Sequence, residues 1–538
     1  MINPINRTEL RQIELFRQKF TPSIAGMVIM LTLTACTVQP KPFEVQENKD
    51  RANDLIARAT SAQEAVSKPI DLYEAMARAI KYNLDARVEM MSLALSQREL
   101  DLANYNMLPK FVATVDYAGR NNDSGGSSQS LLTGRTSLEP STSTEKNVLS
   151  DDLTLSWDVL DFGLSYVRAK QAADEVSIAD ERRRKVINRL IEDVRTAYWR
   201  AASAERLLDR VNDLEHSTQT ALEQAQRQEE QGLTAPMVPL SYERELLSIR
   251  RDVQALGREL SVAKRQLAAL MNLPPNTQYT VALPPSTLSW KPLDLPGINS
   301  GDDLAWLRVA IENRPELREV AYQLRSNDQE STAAYLRMLP NFRLFAGVNS
   351  STNDYLFNQN WIGWGAQTSW NLMNIFRLPA EKEKIKAQGQ LLDQRQLALT
   401  TAVGLQVEVS RVRYAMRLQE LTTSKRYYEV QEKIEHQVDA GFKAEKLSRQ
   451  TLIREEMNTL VSRMRYDMAL ADLQNAYANV YASLGIDPVE PNMDTTEPVN
   501  VLASKLRVMW ADRRDAVALI ETAPPSDNSN KLVSKHYE

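Results

Sequence analysis

The chain has 538 residues and a mass of 61.0 kDa, and its 43% hydrophobic and 25% charged residues, with a mean hydropathy of −0.42, describe a mostly water-exposed protein. A formal net charge of −5 gives no reason to expect nucleic acid as a partner, and no central run of about 18 apolar residues offers a helical membrane span. Only 17 glycines in so long a chain favour extensive helix.

Arg7, Arg11, Arg17 and Lys19 precede an apolar run from Ile24 through Leu33, which runs into Leu33-Thr34-Ala35-Cys36. Basic, apolar and small residues ending in a cysteine read as a lipoprotein signal peptide over residues 1–35, too short to act as a stop-transfer helix. Cys36, the only cysteine of the chain, becomes the lipidated first residue of the mature protein on this reading. Thr37 follows in place of an aspartate, which by resemblance to bacterial lipoproteins favours outer-membrane delivery. Residues 36–70 are polar and are expected to form an N-terminal tether.

From Asp71 an amphipathic helical region is expected through Leu108, with a break near Asn83. Met107-Leu108-Pro109-Lys110-Phe111 then returns almost letter for letter, 231 residues later, as Met338-Leu339-Pro340-Asn341-Phe342. The same offset relates Asn83-Leu84-Asp85 to Arg314-Pro315-Glu316, so the chain is a duplication. In each copy a helix runs into a proline, which lacks an N–H and pushes its predecessor toward extended backbone, and an alternating strand begins.

In the first copy Phe111, Ala113, Val115 and Tyr117 alternate with Val112, Thr114, Asp116 and Ala118. A loop from Gly119 to Ser150, rich in Ser, Thr, Asn and Gly, leads to a second strand with Leu153, Leu155, Trp157 and Val159 on one face, ended by Asp161-Phe162-Gly163. In the second copy Phe342, Leu344, Ala346 and Val348 alternate with Arg343, Phe345, Gly347 and Asn349, and Ile362, Trp364, Ala366 and Thr368 follow the loop. Ser369-Trp370-Asn371 answers Ser156-Trp157-Asp158 at an offset of 213, so the second loop is 18 residues shorter. Trp157, Trp364 and Trp370 suit a lipid-facing or interfacial position.

Each strand pair leads into a long helical pattern. Ile187, Leu190, Val194, Ala197, Ala201, Ala204, Leu208, Val211 and Leu214 step by threes and fours, which is a coiled-coil seam, and a helix from Leu164 to Gln231 would be on the order of 100 Å long. Gly232 stops it, Thr234 and Pro236 begin the return, and Leu246, Ile249, Val253, Leu256 and Leu260 repeat the seam. The second copy runs from Leu378 to about Ala440, turns at Gly441-Phe442, and returns to Gly485. The expected domains are thus repeat 1 at 71–273 (β-hairpin 111–160, helical hairpin 165–272), a Pro-rich connector at 274–301, repeat 2 at 302–488 (β-hairpin 342–371, helical hairpin 378–485), and a C-terminal segment at 489–538. That last segment is expected to hold a helix from Val499 to Ile520 and a disordered end.

Four strands of bilayer length cannot close a barrel alone, because known outer-membrane barrels begin at about eight strands and an unclosed edge in lipid leaves backbone groups unpaired. The subunit must oligomerise, and the pattern leaves two, three or four copies open. The duplication, the Leu-Pro-x-Phe junctions, the Ser-Trp strand ends, the glycine tips and the Cys36 signal together resemble the TolC-type outer membrane factor family in its lipoprotein branch, from about Asp71 to Pro488. The resemblance implies a mixed α and transmembrane β fold: a homotrimer whose twelve-stranded β-barrel continues into a periplasmic α-helical barrel. It further implies a passive conduit for drug or small-molecule efflux or type I secretion, opened by a periplasmic adaptor and an inner-membrane pump.

The resemblance also places partner contacts. Gly232, Leu233 and Thr234 match one adaptor-docking tip and Gly441, Phe442 and Lys443 the other. Both tip glycines are expected in the left-handed conformation of a helix C-cap. Where family members carry gate carboxylates this chain has Leu447 and Gln450, so Lys443, Glu445 and Arg449 are expected to form another kind of polar closure. No enzyme chemistry is expected: His216, His436 and His536 lack paired metal-ligand spacing, no glycine-rich loop can cradle a phosphate, and no cofactor is implied. The rival reading is a non-pore coiled-coil structural lipoprotein of the periplasm, which leaves the alternating strands without a purpose.

Overall fold

The computed structural model describes residues 41–60, 63–137, 139–230, 237–275, 277–282, 303–490 and 493–522. It divides into two units, Met1–Ala62 and Gln63–Glu538. In the first, α1 (Val45–Thr60) occupies part of the stretch read as a tether. No proline interrupts it, and Gln46 to Asp50 (2.9 Å) and Arg58 to Asp54 (3.2 Å) pair one turn apart along its surface.

The second unit opens with α2 (Leu72–Tyr82), started by the Asp71 carboxylate, which accepts from the Glu74 N–H at 2.8 Å. Asn83 ends it and starts α3 (Leu84–Tyr105), its side-chain oxygen accepting from the N–H groups of Asp85 (3.0 Å) and Ala86 (3.2 Å). In the second copy α6 (Asp303–Asn313) and α7 (Pro315–Leu336) meet at Arg314, and Pro315 takes a first-turn position where its missing N–H costs nothing.

Four strands follow the two junctions: β1 (Lys110–Gly119), β2 (Asn147–Asp158), β3 (Asn341–Ser351) and β4 (Asn360–Ser369). They form one antiparallel sheet in the order β1-β2-β3-β4, with β2 and β3 joining the two hairpins so that Leu155 pairs with Ala346 and Asp158 with Arg343. β1 and β4 are therefore the free edges.

β2 passes without a break into α4 (Val159–Glu230), a helix of 72 residues. Asp161-Phe162-Gly163, read as the end of the strand, lies in its first turns. After three residues β4 is likewise followed by α8 (Met373–Lys443), which starts ahead of the expected Leu378 and carries Pro379 inside. A proline in the second turn of so long a helix loses one backbone bond, which the rest of the helix outweighs. The return helices are α5 (Met237–Leu270) and α9 (Arg449–Ser483), and α10 (Val499–Thr522) closes the described chain.

Near the sheet the helices lie side by side in the order α3-α4-α7-α8; farther from it the order is α5-α4-α9-α8. Between these levels a core gathers α2, α10 and the middle of α4, α8 and α9 around Met76, Ile191, Tyr414, Tyr481 and Leu506. Ile70 binds the start of the connector as a short parallel bridge to Val281, donating to Thr280 O at 2.9 Å. A second core runs down the hairpins through Leu207, Val211, Leu246, Val253, Ile453 and Leu460. Leu207 is the fully buried residue at the position where the seam reading had Leu208, because α4 must face α9 as well as α5, which widens its apolar stripe.

Candidate functional site

The sheet separates two kinds of surface. Phe111, Val115, Leu155, Leu344, Ile362 and Trp364 stand exposed on one face, Trp364 at 82%. The other face is polar and crowded: along β2, Ser150, Asp152, Thr154 and Ser156 are each more covered than their apolar neighbours. Thr154 Oγ1 donates to Asp152 Oδ1 at 2.6 Å. Glycines make this side of the sheet possible. A Cβ on Gly347 would stand 2.5 Å from Thr154 Oγ1, and one on Gly365 would stand 2.7 Å from Phe345 Cζ. Apart from a few residues such as Val112, Val148 and Phe345, this crowded face is mostly small or polar, while the other is mostly large and apolar, which suits a wall with water on one side and lipid on the other.

The loops above the strands are joined by Asn353, which is buried. Its amide donates to Ser143 O at 3.0 Å and accepts from the Glu145 N–H at 3.2 Å, bridging the two hairpins. Below the sheet, α4 is tied to the second repeat by charge. Asp174 accepts from Arg325 and from Gln329 (2.9 Å), and Arg184 reaches Asp487 at 2.7 Å. Farther along the helix Arg206 meets Asp467 at 2.7 Å and Arg210 meets Glu435 at 3.2 Å. Burial pushes the Asp467 carboxyl up, against the pull of Arg463 and Arg206.

The tip of the second helical hairpin is fully described and corrects one expectation. Gly441 is helical; the left-handed residue is Glu445, with φ 58°. Lys446 N–H returns to Gly441 O at 2.9 Å and Glu445 N–H to Phe442 O at 2.9 Å, a Schellman cap with Glu445 in the place usually held by glycine. Gly441 answers to packing: a Cβ there would stand 2.6 Å from Leu447 Cδ1. Ser448 then caps α9 through the Thr451 N–H at 3.2 Å.

The residues expected to form a closure come to the same tip on different ties. Lys443 pairs with Asp439 one turn back on its own helix at 2.7 Å, Glu445 makes the turn, and Arg449 begins α9. Sequence reasoning missed the groups that join the two hairpins here: Glu245 of α5 receives Gln450, and also Arg454 at 3.2 Å. No periodicity marks such a pair, which lies about two hundred residues apart in the chain. Phe442 lies in the last turn of α8. Cys36, Gly232, Leu233 and Thr234 lie outside the described residues. Among the described residues no group of three or more His, Cys, Asp or Glu side chains is placed to hold a metal ion, and no helix is long and apolar enough to cross a membrane.

Residues 75–273 match the family model described as outer membrane efflux protein. No curated protein matches the chain in sequence. Among solved structures, the Campylobacter jejuni CmeC outer membrane channel is similar at a TM-score of 0.60 and 11% identity, over 88% of this chain and 98% of that one. The open-state Neisseria gonorrhoeae MtrE outer membrane channel gives 0.56 and 16%, over 77% and 89%. The Vibrio cholerae outer membrane protein VceC gives 0.55 and 14%, over 77% and 96%. Over residues 75–273 the sequence is thus similar to outer membrane efflux proteins, and both repeats share the fold of these solved outer-membrane channels.

Proposed function

We propose that the chain is one subunit of an outer-membrane export channel, a passive conduit that closes as a homotrimer with a twelve-stranded barrel above and a helical barrel below. One observation carries the reading. The sheet ends in two free edges, β1 and β4, and the helical layer beneath it ends in α3 and α8 on the same two sides. Free strand edges cannot persist in lipid, where each unpaired backbone group costs several kcal/mol, so the edges must meet between copies. The helical edges also carry apolar stripes at heptad spacing, Leu84, Val88, Met91 and Leu95 on α3 and Leu405, Val409, Val412 and Met416 on α8, all exposed in the single chain.

The rest of the proposal follows the family. Cys36 anchors the N-terminus to the periplasmic face of the outer membrane by acyl chains, each buried methylene contributing about 0.8 kcal/mol. The tips at Gly232-Leu233-Thr234 and Gly441-Phe442-Lys443 dock a periplasmic adaptor that couples the channel to an inner-membrane pump. Lys443, Glu445 and Arg449 contribute to a polar constriction. The connector at 274–301 and the segment after 489 form an equatorial belt.

Purified protein in detergent and in planar bilayers tests the reading. A trimeric mass by light scattering, a heat-resistant β signal and ion conductance are expected. A monomer that conducts nothing and melts as a helical protein would favour the structural lipoprotein instead. For the anchor, Cys36→Ser is expected to abolish acyl labelling while leaving protein inserted through the barrel.

A further inference from the structure

At the foot of the first hairpin, where β1 meets α3 and α4, lies a cleft of about 360 Å3. Ala103, Asn106 and Met107 wall one side, and Trp157, Asp161 and Phe162 the other. Lys110 stands at its rim, 3.1 Å from Asp161 and largely exposed.

The corresponding foot of the second hairpin is covered from within the chain, by the end of β2 and the start of α4. A Cβ on Gly163 would stand 3.6 Å from Leu336 Cδ1, and Asn341 Nδ2 donates to Asp158 Oδ1 at 3.1 Å. β1 is a free edge, so within one chain no strand precedes it to do the same.

The internal repeat says what would. Segments before the exposed loops correspond at an offset of 231 and segments after them at 213, so Leu336 corresponds to Tyr105, Asn341 to Lys110, Asp158 to Asn371 and Gly163 to Phe376. We propose that the start of α8 from a second copy covers the foot of β1, with Phe376 seated against Tyr105 outside the cleft and Asn371 beside Lys110 at its rim. The proposal rests on the ring reading above and names the contact that closes it.

Strand direction requires this neighbourhood. In a closed antiparallel ring the end of β4 lies beside the beginning of β1, so the chain leaving one barrel strand arrives where the next copy enters. The repeat extends the register as well: the pair Leu155–Ala346 becomes Thr368 of the second copy opposite Val115, both on the face that carries Leu155 and Trp364. Tyr105 and Phe376 are 70% and 76% exposed, an unpartnered aromatic on each free edge. Size agrees too, since Gly163 packs close on Leu336 whereas Phe376 would meet an aromatic ring that stands open at the free edge. One helical level lower, the pair of buried Asp174 with half-exposed Arg325 corresponds to Ala387 and Ala94, both exposed, so the seam between copies is small and apolar where the seam within the chain is ionic.

Cysteine pairing tests the contact. In a Cys36→Ser background, which leaves no native cysteine, Tyr105→Cys with Phe376→Cys is expected to give a covalent trimer on non-reducing gels, and either change alone is not. A trimer by light scattering that does not crosslink overturns the contact and leaves the ring reading standing; a particle that is no trimer overturns both. Phospholipid retained at one molecule per chain and released by Lys110→Ala, without crosslinking, would give the cleft to a lipid headgroup and also overturn it. If the double variant fails to assemble, a benzophenone amino acid at position 376 of the otherwise native chain is expected to form adducts within residues 103–110 of a second copy. Adducts confined to other segments count against the proposal.

Discussion

A Cβ on Gly485 would stand 2.5 Å from the carbonyl carbon of Asn313, so the end of the second helical hairpin and the α6–α7 junction touch backbone to backbone. Gly485 also holds φ 75° and closes a Schellman cap, with Ile486 N–H on Tyr481 O at 3.1 Å. In the first repeat the corresponding residue is Asn272 at φ 54°, and asparagine is the other residue that enters this region readily.

Gly485→Ala therefore meets two penalties, about 1 kcal/mol for the left-handed backbone and about 1–3 kcal/mol for overpacking against atoms that cannot rotate away. Gly441→Ala meets neither. Its backbone is helical, the side chain it displaces is the half-exposed Leu447, and the helix propensity gained is about 1 kcal/mol. Thermal unfolding followed by circular dichroism is expected to show a loss of about 2–4 kcal/mol for the first variant and a change within about 0.5 kcal/mol for the second. Equal losses in both would mean that packing at Gly441 is as rigid as at Gly485.

Glu445 is the non-glycine residue at the tip cap. Glu445→Gly should relieve left-handed strain of about 1 kcal/mol and slow local opening of the α8 end. Amide exchange is the readout, at the Lys446 N–H that bonds Gly441 O. Faster exchange there in the glycine variant would show that the glutamate side chain, and not the backbone, holds the turn.

The strand faces predict asymmetric tolerance to charge. Leu155 stands on the apolar face and Thr114 on the polar one. Leu155→Arg, on the apolar face three residues from the end of β2, is expected to cost up to about 2–4 kcal/mol per subunit, and Thr114→Arg much less. Ser156 is a poor control despite its polar-face position, because it is only 4% exposed. Yields of heat-resistant trimer compare the two variants, and the reverse order would swap the inner and outer faces.

What sequence could show here depended on period and repetition. The alternation at Phe111–Tyr117 reports which residues share a face of the sheet, the three-four stepping of Ile187–Leu214 reports which face of the helix is buried, and the two offsets carry strands and helices from one copy to the other. Helix starts were less legible: Asp161-Phe162-Gly163 reads as a strand end and the second long helix is expected from Leu378, yet Gly163 and Pro379 each sit early in a helix of more than seventy residues whose packing outweighs one weak position. The tip went wrong for a related reason. A glycine near a helix end suggests a left-handed cap, but at Gly441 the missing Cβ makes room for Leu447 and the cap moves on to Glu445. Contacts such as Glu245 with Gln450 and Arg454 join distant parts of the chain and leave no local signal.

Glu456 supplies a pH test of the lower hairpins. Burial first, then the Glu435 and Asp439 carboxylates, push its carboxyl above the ordinary glutamate value, against the pull of Arg210 and Arg449. The folded chain therefore holds this proton more tightly than the unfolded chain does. Its contribution to stability is complete below the unfolded value of 4.5 and is lost as pH rises through the higher folded value. At pH 8 the ionised group faces Glu435 and Asp439 in a partly buried site, so Glu456→Gln should raise the unfolding temperature there. Near pH 4 both proteins carry a neutral group and the difference should close. Melting curves of the two proteins at a series of pH values isolate this residue, because the surrounding carboxylates titrate in both. A gap that widens toward acid would reverse the sign and place Glu456 among carboxylates stabilised by Arg210 and Arg449 instead.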